Sequence, residues 1–156
     1  QLKSSIATLP EKLTHLLEQN KQLESEIKTY RKKELALLAE TCIASREKIG
    51  SISFIGIEVD ILSQELPSFA EELLHRLESG VIAIGMSVEN KCQLLIAVSQ
   101  DLTKKNISAQ KLIQEVAPLI QGGGGGKPNI AQAGGKNPMG LPKAIDKIRE
   151  LLKDLC

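Results

Sequence analysis

The stretch GGGGGKPNIAQAGG, residues 122–135, holds seven of the chain's twelve glycines. Five consecutive glycines lose more backbone entropy on ordering than any other five residues would. Two readings follow. The run is a flexible linker or hinge, or it is ordered backbone where the absence of Cβ atoms serves a close approach. The continuation bears on the choice. Ile130-Ala131-Gln132-Ala133 before a second pair, Gly134-Gly135, is a pattern of small residues that linkers seldom carry. Small residues at successive positions let two backbones meet, or let a phosphate backbone meet this one. A nucleotide P-loop is excluded, because Pro128 stands where its magnesium-ligating hydroxyl belongs and Gln121 where its first glycine belongs. A dinucleotide fingerprint also fails, since Lys127 occupies the third glycine's place.

The first fifty residues read as helix. Thr8-Leu9-Pro10-Glu11 has the form of a capping box with proline in the first turn. Leu9, Leu13, Leu16, Leu23, Ile27, Tyr30 and Leu37 recur at alternating spacings, with Asn20 and Glu34 on the same seam. That is a 3.5-residue period over about four heptads. Two readings stay open: a long helix lying on its own domain, or a coiled-coil arm that pairs with another chain. In the second, Leu9, Leu13, Leu16, Asn20, Leu23, Ile27 and Tyr30 form the dimerisation seam, and a seam Asn fixes register. The expected division is a helical arm over 1–47 and a globular domain over 48–156. Residues 1–7, QLKSSIA, read as the end of something longer, so the chain is expected to be a fragment.

From residue 51 the period changes. SISFIGIEV, residues 51–59, puts Ile52, Phe54 and Gly56 on one face of a strand and Ile55, Ile57 and Val59 on the other. A strand apolar on both faces belongs inside a sheet. A helix is expected over 67–78, ending at Gly80. Strands are expected over 81–87 and 92–99, joined as a hairpin through 88–91. Another helix is expected over 108–121, capped by Ser108, with Pro118 ending or kinking it early. The glycine segment and a last helix, 141–155, complete the chain. The expected class is α/β (α+β): a small mixed β-sheet with packed helices, preceded by a long N-terminal helical arm.

Composition narrows the function. Tyr30, Phe54 and Phe69 are the only aromatic residues, so few rings exist for stacking on nucleobases. The net charge of +1 is unevenly spread: residues 122–156 carry six basic and three acidic side chains, and residues 50–121 five and nine. A basic end can meet phosphate. Cys42, Cys92 and Cys156 are odd in number and widely spaced, as in a reducing compartment, and give neither a disulfide framework nor zinc spacing. No apolar run approaches the ~20 residues that span a bilayer. His15 lies off the seam and His75 at the edge of an apolar stripe, and neither has a partner at metal spacing. Glu58 and Asp60 read as strand-end solvation, Cys92 as a buried thiol. Gly85-Met86-Ser87-Val88-Glu89 lacks the last glycine of a nucleophile elbow. No active site is expected in these residues.

GGGGGKPNIAQAGGKNP closely resembles the C-terminal domain of alanyl-tRNA synthetases, a glycine-rich fold that also occurs as the accessory domain of DHH-type phosphoesterases. The resemblance runs upstream through VSQDLTKKNISAQKLIQEVAPLIQ, residues 98–121, and through GSISFIGIEVD, residues 50–60. TLPEKLTHLLEQNKQLESEI, residues 8–27, looks like that family's linker helix. Asn129 stands where the family often has Asp. The Gly-Gly-His element of the phosphoesterase version is absent, which favours the synthetase branch. The resemblance implies a tRNA-binding module that contacts the outer corner of alanine-specific tRNA and supports aminoacylation and editing by the parent enzyme. Alternatives are an oligomerisation module, with the glycines as a hinge, or a phosphoesterase accessory domain. The implied RNA-binding residues are Gly122, Gly123, Gly124, Gly125, Gly126, Lys127, Gln132, Gly134, Gly135 and Lys136. The start of the last helix adds positive potential, and Lys143, Lys147 and Arg149 extend it if they share a face. No cofactor is expected here. The implied parent, an alanine–tRNA ligase, would use ATP, Mg and Zn. The implied partners are the tRNA, the rest of the parent and a second copy through the arm, with no membrane and a cytoplasmic location.

Overall fold

The computed structural model describes residues 8–156, so the expectation about residues 1–7 lies outside the described residues. Helix α1 runs Leu9–Ala44. The chain divides into two compact units, Gln1–Leu38 and Ala39–Cys156. In the first, Leu9, Leu13, Leu16, Leu23, Ile27, Tyr30 and Leu37 are all more than half exposed. Asn20 on the same seam is also exposed.

The second unit is a six-stranded mixed sheet in the order β1-β2-β3-β4-β6-β5. Its strands are β1 (Glu47–Ile49), β2 (Ile52–Glu58), β3 (Val81–Val88), β4 (Lys91–Val98), β5 (Gly122–Gly126) and β6 (Ile130–Gly135). Its helices are α2 (Leu66–Leu77), α3 (Gln100–Lys104), α4 (Ala109–Val116) and α5 (Leu141–Leu155). Only β2 and β3 are parallel, joined by α2, and every other neighbouring pair is antiparallel. As its two apolar faces require, β2 is interior.

The two faces are covered unequally. On one, α4 lies over β4, β5 and β6, and α5 over β1, β2 and β3. Phe54, Val81, Leu94, Ile96, Ala131 and Ala133 are buried there with Ile113, Leu141 and Ile148. Gly56 lets α5 sit close, since a Cβ there would fall 2.5 Å from Ile145 Cγ2. On the other face α2 packs on β3 and β4. Ile55, Ile82, Ile84, Leu95 and Ala97 are buried on that side with Leu66, Phe69 and Leu73 of α2. The core is aliphatic apart from the two phenylalanines.

Several details differ from what the sequence led one to expect. Helix does not reach residue 50. It ends at Ala44, where the Ser45 hydroxyl donates back to the Cys42 carbonyl at 2.8 Å, and Glu47–Ile49 then pairs with β2. Gly50, at φ +60°, makes that reversal. The helix expected over 108–121 ends at Val116, the early end expected from Pro118. Pro118 has no N–H to continue the ladder, and Ala117–Ile120 tightens to 3-10. Ser108 occupies the cap position without a side-chain hydrogen bond to the helix. The short α3 was not expected. Most consequentially, the glycine run is strand.

Burial raises the thiol pKa of Cys42 and of Cys92, so both stay protonated at neutral pH. Cys92 is 2% exposed, as its alternation with Leu94 and Ile96 requires.

Candidate nucleic-acid interface

Residues 121–137 form a hairpin tied down at both ends. Gln121 turns the chain into β5 at φ +51°. At the entry end, the Asn137 N–H donates to the Ile120 carbonyl at 3.1 Å, and Asn137 Nδ2 to the Leu119 carbonyl at 3.3 Å. At the turn, the Lys127 N–H donates to Ile130 O at 2.8 Å. Ala109 of α4 donates to the Pro128 carbonyl, and Val98 of β4 to the Asn129 carbonyl, each at 2.8 Å. A stretch whose composition reads as linker therefore has its ordering entropy offset by paired backbone and by Ala131 and Ala133 in the core.

The register separates the glycines into two sets. Lys127 and Ile130 close the hairpin as a hydrogen-bonded pair, so Gly125 with Gln132 and Gly123 with Gly134 are hydrogen-bonded pairs as well. Gly122, Gly124 and Gly126 sit at the intervening positions, where the strands come closer. A Cβ on Gly124 would lie 2.5 Å from both Cα and Cβ of Ala133 and nearer still to the Gln132 carbonyl oxygen. Cβ atoms on Gly122 and Gly126 would also collide with β6 backbone. The packing forces those three to be glycine. Gly123, Gly125 and Gly134 are different: a Cβ on any of them meets nothing within 4 Å. Their backbones avoid the left-handed region, too. Nothing inside the fold asks these three to be glycine.

The free set shares one face. Ala131 and Ala133 point into the core beneath α4, so Gln132 and Gly134, with Gly125 and Gly123 opposite, point the other way. That is the α2 side of the sheet, where α2 covers β3 and β4. Gln132, Gly134 and Gly123 are exposed and Gly125 is half-buried, a shelf of largely bare main chain that carries Gln132 in β6 and has Ile130 at its turn end. The shelf ends at an open sheet edge. Gly122, Gly124 and Gly126 turn their N–H and C=O groups away from β6, and among the described residues no strand lies beyond β5.

The ten residues named from the sequence thus fall on one hairpin: five in β5, Lys127 in the turn, Gln132, Gly134 and Gly135 in β6, and Lys136 just beyond. Lys127 and Lys136 are exposed at opposite ends. At about 3.3 Å per residue the six residues of β6 separate them by roughly 17–20 Å. The suggested extension along α5 does not form as one face. Arg149 turns to Glu47, with Nε to Oε2 at 2.8 Å and Nη2 to Oε1 at 3.1 Å, and also pairs with Asp146. Lys147 pairs with Glu150 at 3.4 Å, and α5 itself lies on the opposite face of the sheet. Two residues were missed. Lys91 and Gln93 of β4 alternate with the buried Cys92 and Leu94, and so belong to the shelf side. The alternation in KCQLLIAV was the signal that could have found them. Among the described residues, no group of three His, Cys, Asp or Glu side chains could hold a metal, and no helix is long and apolar enough to cross a membrane.

Residues 47–154 match the family model described as the DHHA1 domain. The chain is 38% identical over 131 residues to the alanine–tRNA ligase of Anaeromyxobacter dehalogenans, covering 84% of this chain and 14% of that protein. It is 31% identical over 154 residues to the alanine–tRNA ligase of Natranaerobius thermophilus, covering 98% of this chain and 18% of that protein. The chain therefore spans under a fifth of the length of either relative. Among solved structures, the C-Ala domain of the Aquifex aeolicus alanyl-tRNA synthetase superposes with a TM-score of 0.65 at 30% identity, covering 70% of this chain and 98% of that one.

Proposed function

This chain belongs to the DHHA1 domain family, and from that premise we propose that it is the tRNA-binding C-terminal module of an alanyl-tRNA synthetase. One observation carries the reading: a shelf of glycines, three of which the fold does not require, bracketed by exposed lysines. A surface without side chains admits a sugar-phosphate backbone to direct contact with peptide groups. Lys127 and Lys136, too far apart for one phosphate, hold two. With no aromatic side chain on the hairpin, recognition is of shape and phosphate rather than of splayed bases. The relatives at 38% and 31% identity are alanine–tRNA ligases, which favours the synthetase branch over a phosphoesterase. In this reading ATP, magnesium and zinc belong to the rest of a cytoplasmic parent enzyme. The module holds the tRNA for both aminoacylation and editing.

Gel-shift titration of the chain against an alanine tRNA transcript tests the reading. Replacing both lysines, Lys127→Ala with Lys136→Ala, removes two phosphate contacts. The slope of log K against log salt should flatten by roughly 1.8, with affinity lower by about 60-fold at 0.1 M salt. An unchanged slope would remove these lysines from the interface.

A second reading concerns the arm. Seven apolar seam residues of α1 are each more than half exposed, which a helix bears at a cost unless another helix covers it. The arm then joins two copies through Leu9, Leu13, Leu16, Asn20, Leu23, Ile27 and Tyr30. Sedimentation equilibrium of the chain should give a dimer, and Leu16→Asp with Leu23→Asp should give a monomer with the same tRNA affinity per chain. A wild-type monomer at tens of micromolar ends this reading and leaves the first intact.

A further inference from the structure

Lys91 was expected in the turn of the β3–β4 hairpin, but it is the first residue of β4. Cys92 faces Gly135 across the β4–β6 ladder, and Lys91 and Lys136 are the chain neighbours of that last pair, at adjoining strand ends. Lys91 lies on the shelf side by alternation, because Cys92 turns toward the helix-covered face, and Lys136 follows the last residue of β6 at a bend. Both are exposed. Like charges set opposite each other across neighbouring strands destabilise a sheet, and the ordinary remedy is a carboxylate nearby. Among the described residues neither lysine has one within ion-pair distance. The nearest acidic residue in sequence is Glu89, exposed in the turn two residues before Lys91 and without an ion pair. Gln93 follows Lys91 on the same side and faces Gly134, so an amide lies between the two ammonium groups and the glycine shelf.

We infer that Lys91 and Lys136 form a two-ammonium clamp for one backbone phosphate of the bound RNA, at the end of the shelf remote from Lys127. The inference rests on the tRNA-binding reading and extends it to a strand outside the glycine segment. The repulsion between the two lysines is relieved only when the phosphate arrives, so the site is matched to an anion and not to a cationic or neutral partner. Because one phosphate takes both ammonium groups, the two lysines act as a unit.

The test is a double-mutant cycle on the 156-residue chain, with an alanine tRNA transcript as probe, titrated at several salt concentrations. Lys91→Ala should lower affinity about eightfold at 0.1 M salt and flatten the salt slope by about 0.9. Lys91→Arg should restore most of both. The double replacement of Lys91 and Lys136 should cost less than the product of the singles, since the second lysine has lost the partner that holds its phosphate. Lys153→Ala, on the exposed end of α5, should change little. Circular dichroism should confirm an unaltered fold, as expected for an exposed side chain. If Lys136→Ala weakens binding and Lys91→Ala does not, or if the two effects multiply independently, the clamp is refuted and the tRNA-binding reading stands. If the unmodified chain gives no salt-dependent binding, that reading falls and takes the clamp with it.

Discussion

Gly124→Ala should unfold the hairpin more easily, while Gly123→Ala, one residue away, should leave it intact or slightly more stable. The added methyl on Gly124 would have to enter space held by the Gln132 carbonyl and by Ala133, whose Cβ is 2.5 Å from the new atom. Ala133 is 3% exposed and packed in the core, so it has little room to give. Overpacking of this kind costs about 1–3 kcal/mol. For a chain of this length that lowers Tm by roughly 2–10 °C. At Gly123 the methyl meets nothing within 4 Å and the φ angle is not left-handed. There the substitution mainly restricts the unfolded chain, which stabilises by about 0.4–1 kcal/mol. Differential scanning calorimetry of the two variants decides, supported by amide exchange at Gln132 and Gly134, which pair with β5. Equal destabilisation by both would mean that the hairpin register is wrong, and with it the division of the glycines into two sets.

The contrast explains which parts of this molecule could be read from its residues. The β3–β4 hairpin was legible because Ile82, Ile84, Leu94 and Ile96 carry β-branched or apolar periodicity with a polar turn between them. Strand β2 was legible as interior because both of its faces are apolar. The glycine hairpin was not. Glycine has no side chain to alternate and a low preference for strands, so β5 leaves no pattern of its own. Its pairing comes from outside the run, through Ala131 and Ala133 beneath α4 and the bonds to Ala109 and Val98. Strand β1 was hidden for another reason: three residues following a 36-residue helix make too short a break in period to notice. The segment proposed as the site stood out by its composition. Its neighbour Lys91 stayed out of view, since only a strand register brings two residues 45 positions apart together.

A side chain on the shelf should separate binding from folding most sharply at Gly134. It faces solvent, its Cβ position is open, and Gly123 and Gln93 flank it in the two neighbouring strands. Gly134→Glu should keep the fold, since nothing within 4 Å obstructs the first carbon. In the complex, however, it brings a carboxylate against a phosphate backbone in a partly dehydrated contact. Like-charge juxtaposition at an interface costs several kcal/mol. About 2–4 kcal/mol would weaken alanine tRNA binding by roughly 30- to 1,000-fold. Gly134→Gln has nearly the same volume without the charge, so its smaller loss measures obstruction alone, and raising the salt should narrow the gap between the two variants by screening. Gly124→Ala cannot serve for this purpose, because it disturbs the strand pair itself. If the glutamate variant binds as tightly as the unmodified chain, the RNA does not touch the shelf. The three unobligated glycines would then need an explanation other than close approach of a polyanion.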